Sequence, residues 1–507
     1  MARETGNKPA NEQAEDKRLA DRQASSEASA ATRNGIVDAE AGAAATPASK
    51  LFGLILAIYL LGLLVGGLYV GMVSPARTVI QNWFGIDDTI GIWMINIYTL
   101  FYAALIPITG KLADRHGRKR VFIICVGIFC VGSILCGASS AANSFALLLA
   151  GRVVQAAGAG GMIPVANAEI GTSAPADKRG MALGLAAAIV GLSNVLGAAV
   201  GSAIIGAAGA ENWAVMFYLC IPFALVIIVA GIIVLPASES RAAGRMDVAG
   251  SVLFALFVLM LLLGIKDIDF FDFAATIVQP QAWVPLVVAV ICLPLFRFAE
   301  GRAEDPVFHL EYFHNRPIVV TMIVSFFIGC CIISMVLVPE FAEYAMGDPA
   351  GSGGYYLIAI GVTSLFGPPM GGKFIDRWGA KPVLIGGLIV QAAGYLFLAL
   401  VAAAHPSVAL LILGLLIVGL GMGFAMGAPT NYMILENTDP SQATSAIATI
   451  TLVRQIGTTL APAILVGFIS QGTGMLGYQQ MLSCVTVFSL ICIVVMCFYH
   501  SPNGGRQ

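Results

Sequence analysis

Apolar residues in this chain gather into long runs separated by short polar segments. The runs fall at roughly 51–73, 89–110, 121–140, 145–171, 181–207, 213–235, 247–265, 283–298, 317–339, 353–372, 382–403, 407–428, 442–469 and 478–499. Crossing about 30 Å of hydrocarbon takes about 20 mainly apolar residues in a helix. The pattern therefore predicts an all-α polytopic membrane protein with 14 transmembrane helices. Spans 7 and 8 are the least regular, because "KDIDFFDF" interrupts and 283–298 is short.

The polar segments give the orientation. One set of alternate connections holds fifteen basic residues: Lys111, Arg115, Arg118, Lys119, Arg120, Lys178, Arg179, Arg241, Arg245, Arg297, Arg302, Arg316, Lys373, Arg377 and Lys381. The other set holds two, Arg77 and Lys266. Lys and Arg in short loops are retained in the cytoplasm, so both termini are expected there. The first fifty residues are rich in Ala, Glu, Ser, Lys and Arg and read as a disordered cytoplasmic tail. They lack the apolar stretch of a secretory signal.

The polar segments also repeat. GKLADRHGRK at 110–119 returns as GKFIDRWGAK at 372–381, 262 residues later. Gly158, Pro164 and Pro175 around the end of span 4 have counterparts Gly423, Pro429 and Pro440 around the end of span 12, each 265 residues on. The repeat divides the chain into a tail at 1–50, a six-helix bundle at 51–236, a central loop with an inserted helix pair at 237–316, a second six-helix bundle at 317–500 and a short tail at 501–507. Parallel halves of this kind suit alternating access about a site between them. Within the repeated phrase, glycine allows a sharp turn. An aspartate there can accept hydrogen bonds from a neighbouring helix N-terminus, where the dipole favours an anion.

Composition agrees with the bilayer and removes other classes. The chain is 58% hydrophobic and 11% charged, with mean hydropathy +0.86, against about 25% charged in soluble domains. A net charge of −2 gives no sign of a nucleic-acid partner. The ten cysteines fall inside apolar runs without metal spacing and read as small buried hydrophobes. No metal or cofactor is expected.

At the level of motifs, Gly110, Asp114, Arg115, Gly117, Arg118 and Lys119 resemble motif A of the major facilitator superfamily. The second copy supplies Gly372, Asp376, Arg377, Gly379 and Lys381. "GRVVQAAGAGGMIP" at 151–164 is similar to motif B, with Arg152, Gln155 and Gly158 matching. "NWAVMFYLCIP" (212–222), "EDPVFHLEYFHNRP" (304–317) and "LVRQIG" (452–457) are similar to the fourteen-helix drug:proton antiporter branch. The resemblance implies a major facilitator fold of two six-helix bundles plus two inserted helices. It also implies a secondary active transporter, driven by protons and exporting drugs or other small organic compounds across an inner membrane as a monomer. Two positions depart from the branch. Its helix-1 acidic position falls near Tyr69, and Ala198 stands where the helix-5 motif has proline.

A charge deep in a membrane is costly and by default functional. Arg152, Gln155, Glu169 and Arg454 are therefore candidates for the transport pathway or its coupling, with Asn96, Tyr98 and Asn194 as polar lining. Arg77 and Glu340 occupy pseudo-symmetric outer places and form a candidate outer gate. The two copies of the repeated phrase form a candidate cytoplasmic gate. Trp83, Trp93, Trp213 and Trp283 lie near predicted membrane edges, as interface belts do. Uptake or efflux of a specific small metabolite is the alternative within transport. A membrane enzyme would need a catalytic constellation and a sensor would need a large output domain; neither pattern is visible in the sequence.

Overall fold

The computed structural model describes residues 47–236, 247–266, 268, 271–302, 310–347, 356–405, 407–426, 428–471 and 474–499. The chain divides into Met1–Leu54 and Ile55–Gln507. Of the first unit only 47–54 is described, and it is helical. Of the tails predicted at 1–50 and 501–507, residues 1–46 and 501–507 lie outside the described residues, as does the loop 237–246, while 47–50 are the helical start of the first long helix rather than tail.

Long helices occupy all fourteen predicted positions. They are α1 Pro47–Phe84, α2 Trp93–His116, α3 Arg118–Ala141, α4 Phe145–Ser173, α5 Arg179–Ala208, α6 Cys220–Val234 and α7 Val248–Lys266. They continue with α8 Pro280–Glu300, α9 Arg316–Met346, α10 Leu357–Trp378, α11 Ala380–Phe397, α12 Val408–Ala425, α13 Ala443–Gln471 and α14 Met475–Cys497. Eleven stretches of the described residues are long and apolar enough to cross a bilayer. Helices α5 and α9 add shorter apolar stretches, and α10 completes the set at lower hydropathy. The count of fourteen is compatible with this. A helix satisfies its own backbone in lipid, which is why the apolar runs fold this way and why Pro107, Pro164 and Pro462 are accommodated inside α2, α4 and α13.

The packing repeats as the sequence does. Helix α3 lies along α4 and against α6, and α11 lies along α12 and against α14. Helix α2 crosses α13, and α10 crosses α5, so each half reaches the other through corresponding helices. Helices α7 and α8 pair with each other, and α7 rests on α2 and α13. Apolar side chains such as Val229, Ile233 and Val290 point outward from α6 and α8, as a lipid-facing surface requires.

Three details differ from the sequence reading. Pro164 sits inside an unbroken α4, whereas its counterpart Pro429 follows a break after α12, in a second segment Ala428–Glu436. Span 8 is a full helix of 21 residues. The Trp213 ring does not face outward as an interface belt would: it is fully buried among Phe84 and Phe217. Eight of the ten cysteines are buried, with Cys484 half-buried and Cys497 exposed.

Candidate functional site

The repeated phrase lies where α2 turns into α3 and where α10 turns into α11. Each turn is a single glycine, Gly117 at φ +90° and Gly379 at φ +82°. Side chains are strained at such angles, so this is the position that demands glycine.

Asp114, near the end of α2, accepts hydrogen bonds from the backbone N–H groups of Thr444 at 3.1 Å and Ser445 at 2.7 Å. Those groups open α13, in the other half. The first N–H groups of a helix have no partner within it, and the dipole adds partial positive charge. Arg118 surrounds the contact. It donates to Thr444 Oγ1 at 3.0 Å, the Pro440 carbonyl at 2.7 Å, Thr172 Oγ1 at 2.6 Å and Glu169 Oε2 at 3.4 Å. It also stands 3.8 Å from Asp114. Gly110 makes room: a Cβ there would meet the Ala448 Cβ at 2.7 Å.

The second copy makes the reciprocal contact. Asp376, near the end of α10, accepts from the N–H groups of Gly180 at 2.5 Å and Met181 at 2.9 Å, which open α5 in the first half. A Cβ on Gly372 would meet the Met181 Cα at 2.8 Å. The two latches are not equal. Ala380 stands where Arg118 stands in the first copy, and the arginine in electrostatic reach of Asp376 is instead Arg179, at the start of α5. Burial pushes the Asp376 carboxyl above its ordinary value, against the opposing pull of its two N–H donors.

The two lysines also match. Lys119 Nζ donates to the carbonyls of Ile232 at 2.9 Å and Leu235 at 2.5 Å, at the end of α6. Lys381 Nζ donates to the Tyr499 carbonyl at 2.8 Å, just past α14. Cations at helix C-termini complement the dipole. Each lysine thus ties its turn to the last helix of its own half. Arg115 is half-buried, while Arg377 is exposed beside the Trp378 ring.

Deeper in the bundle, Arg152 on α4 is only 1% exposed. Its Nε donates to the Met94 carbonyl at 3.0 Å and its Nη1 to Gln155 Oε1 at 2.5 Å. Gln155 passes the chain on to Ser133 Oγ at 2.6 Å. The guanidinium lies 4.1 Å from the Tyr98 ring centroid, and Tyr98 stacks on Tyr102 one turn further along α2, at 6.2 Å. Tyr102 is within electrostatic reach of Arg454 on α13. Arg152, Gln155, Tyr98 and Arg454 are thereby brought into one neighbourhood, and Asn96 is half-buried on the same α2 turn.

Other candidates are placed elsewhere. Glu169 lies in the first latch, accepting from Ser173 Oγ at 2.6 Å as well as from Arg118. Tyr69, at the branch's acidic position, is buried and donates to the Met216 carbonyl at 2.9 Å. Arg77 is half-buried. The side chains of Glu340 and Asn194 lie outside the described residues, so the Arg77–Glu340 pair is not described. Thr444, Ser445, Thr172, Gly180, Ser133 and Tyr102 were not anticipated. The i, i+4 spacing of Tyr98 and Tyr102, and the Ser/Thr-rich start of α13, were the available signals.

The chain is similar in sequence and in fold to known proteins. Residues 59–462 and 318–504 match the sequence profile of the Major Facilitator Superfamily. The chain belongs to that superfamily, and its members are transporters, not enzymes. It is 31% identical over 427 residues to "Uncharacterized MFS-type transporter YfiU" of Bacillus subtilis (strain 168), covering 83% of this chain and 80% of the relative. It is 28% identical over 401 residues to "Multidrug resistance protein B homolog" of Mycobacterium tuberculosis (strain ATCC 25618 / H37Rv), covering 78% and 72%. Among solved structures it superposes on the proton:xylose symporter XylE with TM-score 0.65 at 15% identity, covering 89% of this chain and 97% of the other.

Proposed function

We propose that this transporter works by alternating access, rocking residues 51–236 against 317–500, and exports drugs or other small organic compounds in exchange for protons. The observation that carries the reading is the reciprocity of the latches. Each half presents an aspartate to the first N–H groups of a helix in the other half. Contacts of this kind hold one end shut and release it by rigid-body motion, with no refolding. The basic residues crowding that end support a cytoplasmic placement, with both termini on the same side and the chain in an inner membrane. The multidrug-resistance name of a relative supports export of small organic compounds.

The route of the proton follows from what the bundle lacks. Tyr69 occupies the branch's acidic position in α1 and is bonded to a carbonyl, so it offers no exchangeable carboxyl. Beside the latch aspartates themselves, Glu169 is a buried carboxylate paired with Arg118 of the first latch. Protonating it would remove one of the partners that hold Arg118 across to Thr444 and Pro440. Substrate-triggered proton movement in proteoliposomes, using a panel of lipophilic compounds and metabolites, tests the reading. Coupling that survives in wild type and is lost in E169Q supports it; flux indifferent to the pH gradient refutes proton drive.

A further inference from the structure

No Asp or Glu lies in the middle third of any of the fourteen spans. The charge in a middle third is instead an arginine, Arg454 on α13, and a second arginine, Arg152, lies eight residues into α4. They differ in how they are held. Arg152 is enclosed, with a carbonyl, an amide oxygen and an aromatic face as partners. Arg454 is only half-buried, and no hydrogen bond or ion pair engages its guanidinium among the described residues. It is ten residues beyond Thr444, about 15 Å along α13 from the latch, or half the hydrocarbon thickness. Gly329 lets α9 press against the Arg454 backbone, which fixes the position of the residue while its charged head stays open.

We infer that Arg454 is a binding residue for the anionic group of the transported compound, with Tyr102 lining the same site and Arg152 adding fixed positive potential behind the stacked tyrosines. An uncompensated guanidinium at this depth is expensive. An incoming carboxylate, sulfonate or phosphate offsets that cost by forming paired hydrogen bonds with the planar fork. The tyrosine pair gives an aromatic body a surface to stack on. A lipophilic cation would meet the same field with the wrong sign. The substrate class is therefore an amphipathic aromatic anion. This inference rests on the export reading for its direction, but the site itself does not require it.

The test uses the full-length protein in lipid nanodiscs with two probes of matched size and fixed charge, benzenesulfonate and benzyltrimethylammonium. At a probe concentration a hundred times the dissociation constant, the melting temperature rises by about 2–3 °C. Benzenesulfonate should stabilise wild type and, more weakly, R454K, and should leave R454Q unshifted. Benzyltrimethylammonium should stabilise none of them. A shift in R454Q equal to wild type, stabilisation by the cation alone, or no shift of wild type up to saturating benzenesulfonate would each overturn the inference. R454K guards against a misfolded R454Q. Proteoliposome flux separates the two readings. Binding of the anion without proton-linked movement counts against the export reading alone, whereas proton-linked movement of the cation without anion binding counts against this inference alone.

Discussion

Replacing Asp114 with Asn keeps the size of the side chain at the first latch and removes its charge. Asp114 is half-buried, its side chain 8% exposed, and both of its oxygens accept from N–H groups at the start of α13. Asn retains one acceptor and turns an NH2 toward the other N–H. A hydrogen bond to a charged group contributes about 1.5–3 kcal/mol, and an anion at a helix N-terminus adds about 0.3–1 kcal/mol. Arg118 also loses its neighbour at 3.8 Å. A total of about 2–3 kcal/mol corresponds to a shift of roughly 30- to 150-fold toward the state with this end open. Electron paramagnetic resonance can read that shift from spin labels at His116 and Trp378, which are exposed and belong to different halves at the latch end. The exposed Cys497 is replaced by Ser in the background. The expected result is a new, longer distance population in D114N. A distance distribution identical to the parent's, in a protein with unchanged circular dichroism, would refute the claim that this contact holds the halves together.

Two further outcomes follow from the geometry. A Cβ on Gly158 would lie 2.5 Å from the Cys125 carbonyl oxygen and 2.7 Å from the Phe129 Cβ, on the backbone of α3. G158A should therefore cost about 1–3 kcal/mol, read as a lowered melting temperature, while G127A, with open space around it, should not. At the second latch, burial outweighs the N–H donors and raises the Asp376 carboxyl above 3.8. The native protein thus takes up this proton more readily than the unfolded chain. The associated stability is fully present below the unfolded value and is lost as pH rises through the raised one. Melting temperature should fall with rising pH across that interval, and D376N should flatten the fall; an unchanged slope in D376N would count against the assignment.

The apolar runs alone placed every long helix, because lipid leaves the backbone no partner but itself. The repeat in GKLADRHGRK and GKFIDRWGAK pointed to matched turns, since a one-residue reversal needs glycine and the same residue order recurs around it. The partners of those turns were not legible. Thr444 and Ser445 are ordinary residues whose value lies in unpaired N–H groups, which sequence does not display and only the approach of α2 to α13 reveals. The same holds for Glu169, whose pairing with Arg118 of α3 has no trace in the order of residues. Pro164 and Pro429 look equivalent in register, but whether a membrane proline breaks its helix depends on which neighbours take up the freed carbonyls. Chemistry borne by one residue type at one depth, such as the lone arginine in LVRQIG, can be read from the chain; its company cannot. Membrane class, span order and duplicated turns are local properties of a chain in a uniform solvent. Which helix end an aspartate meets, and which arginine is sealed while the other stays open, depend on contacts between residues hundreds of positions apart, and only the packed bundle fixes those.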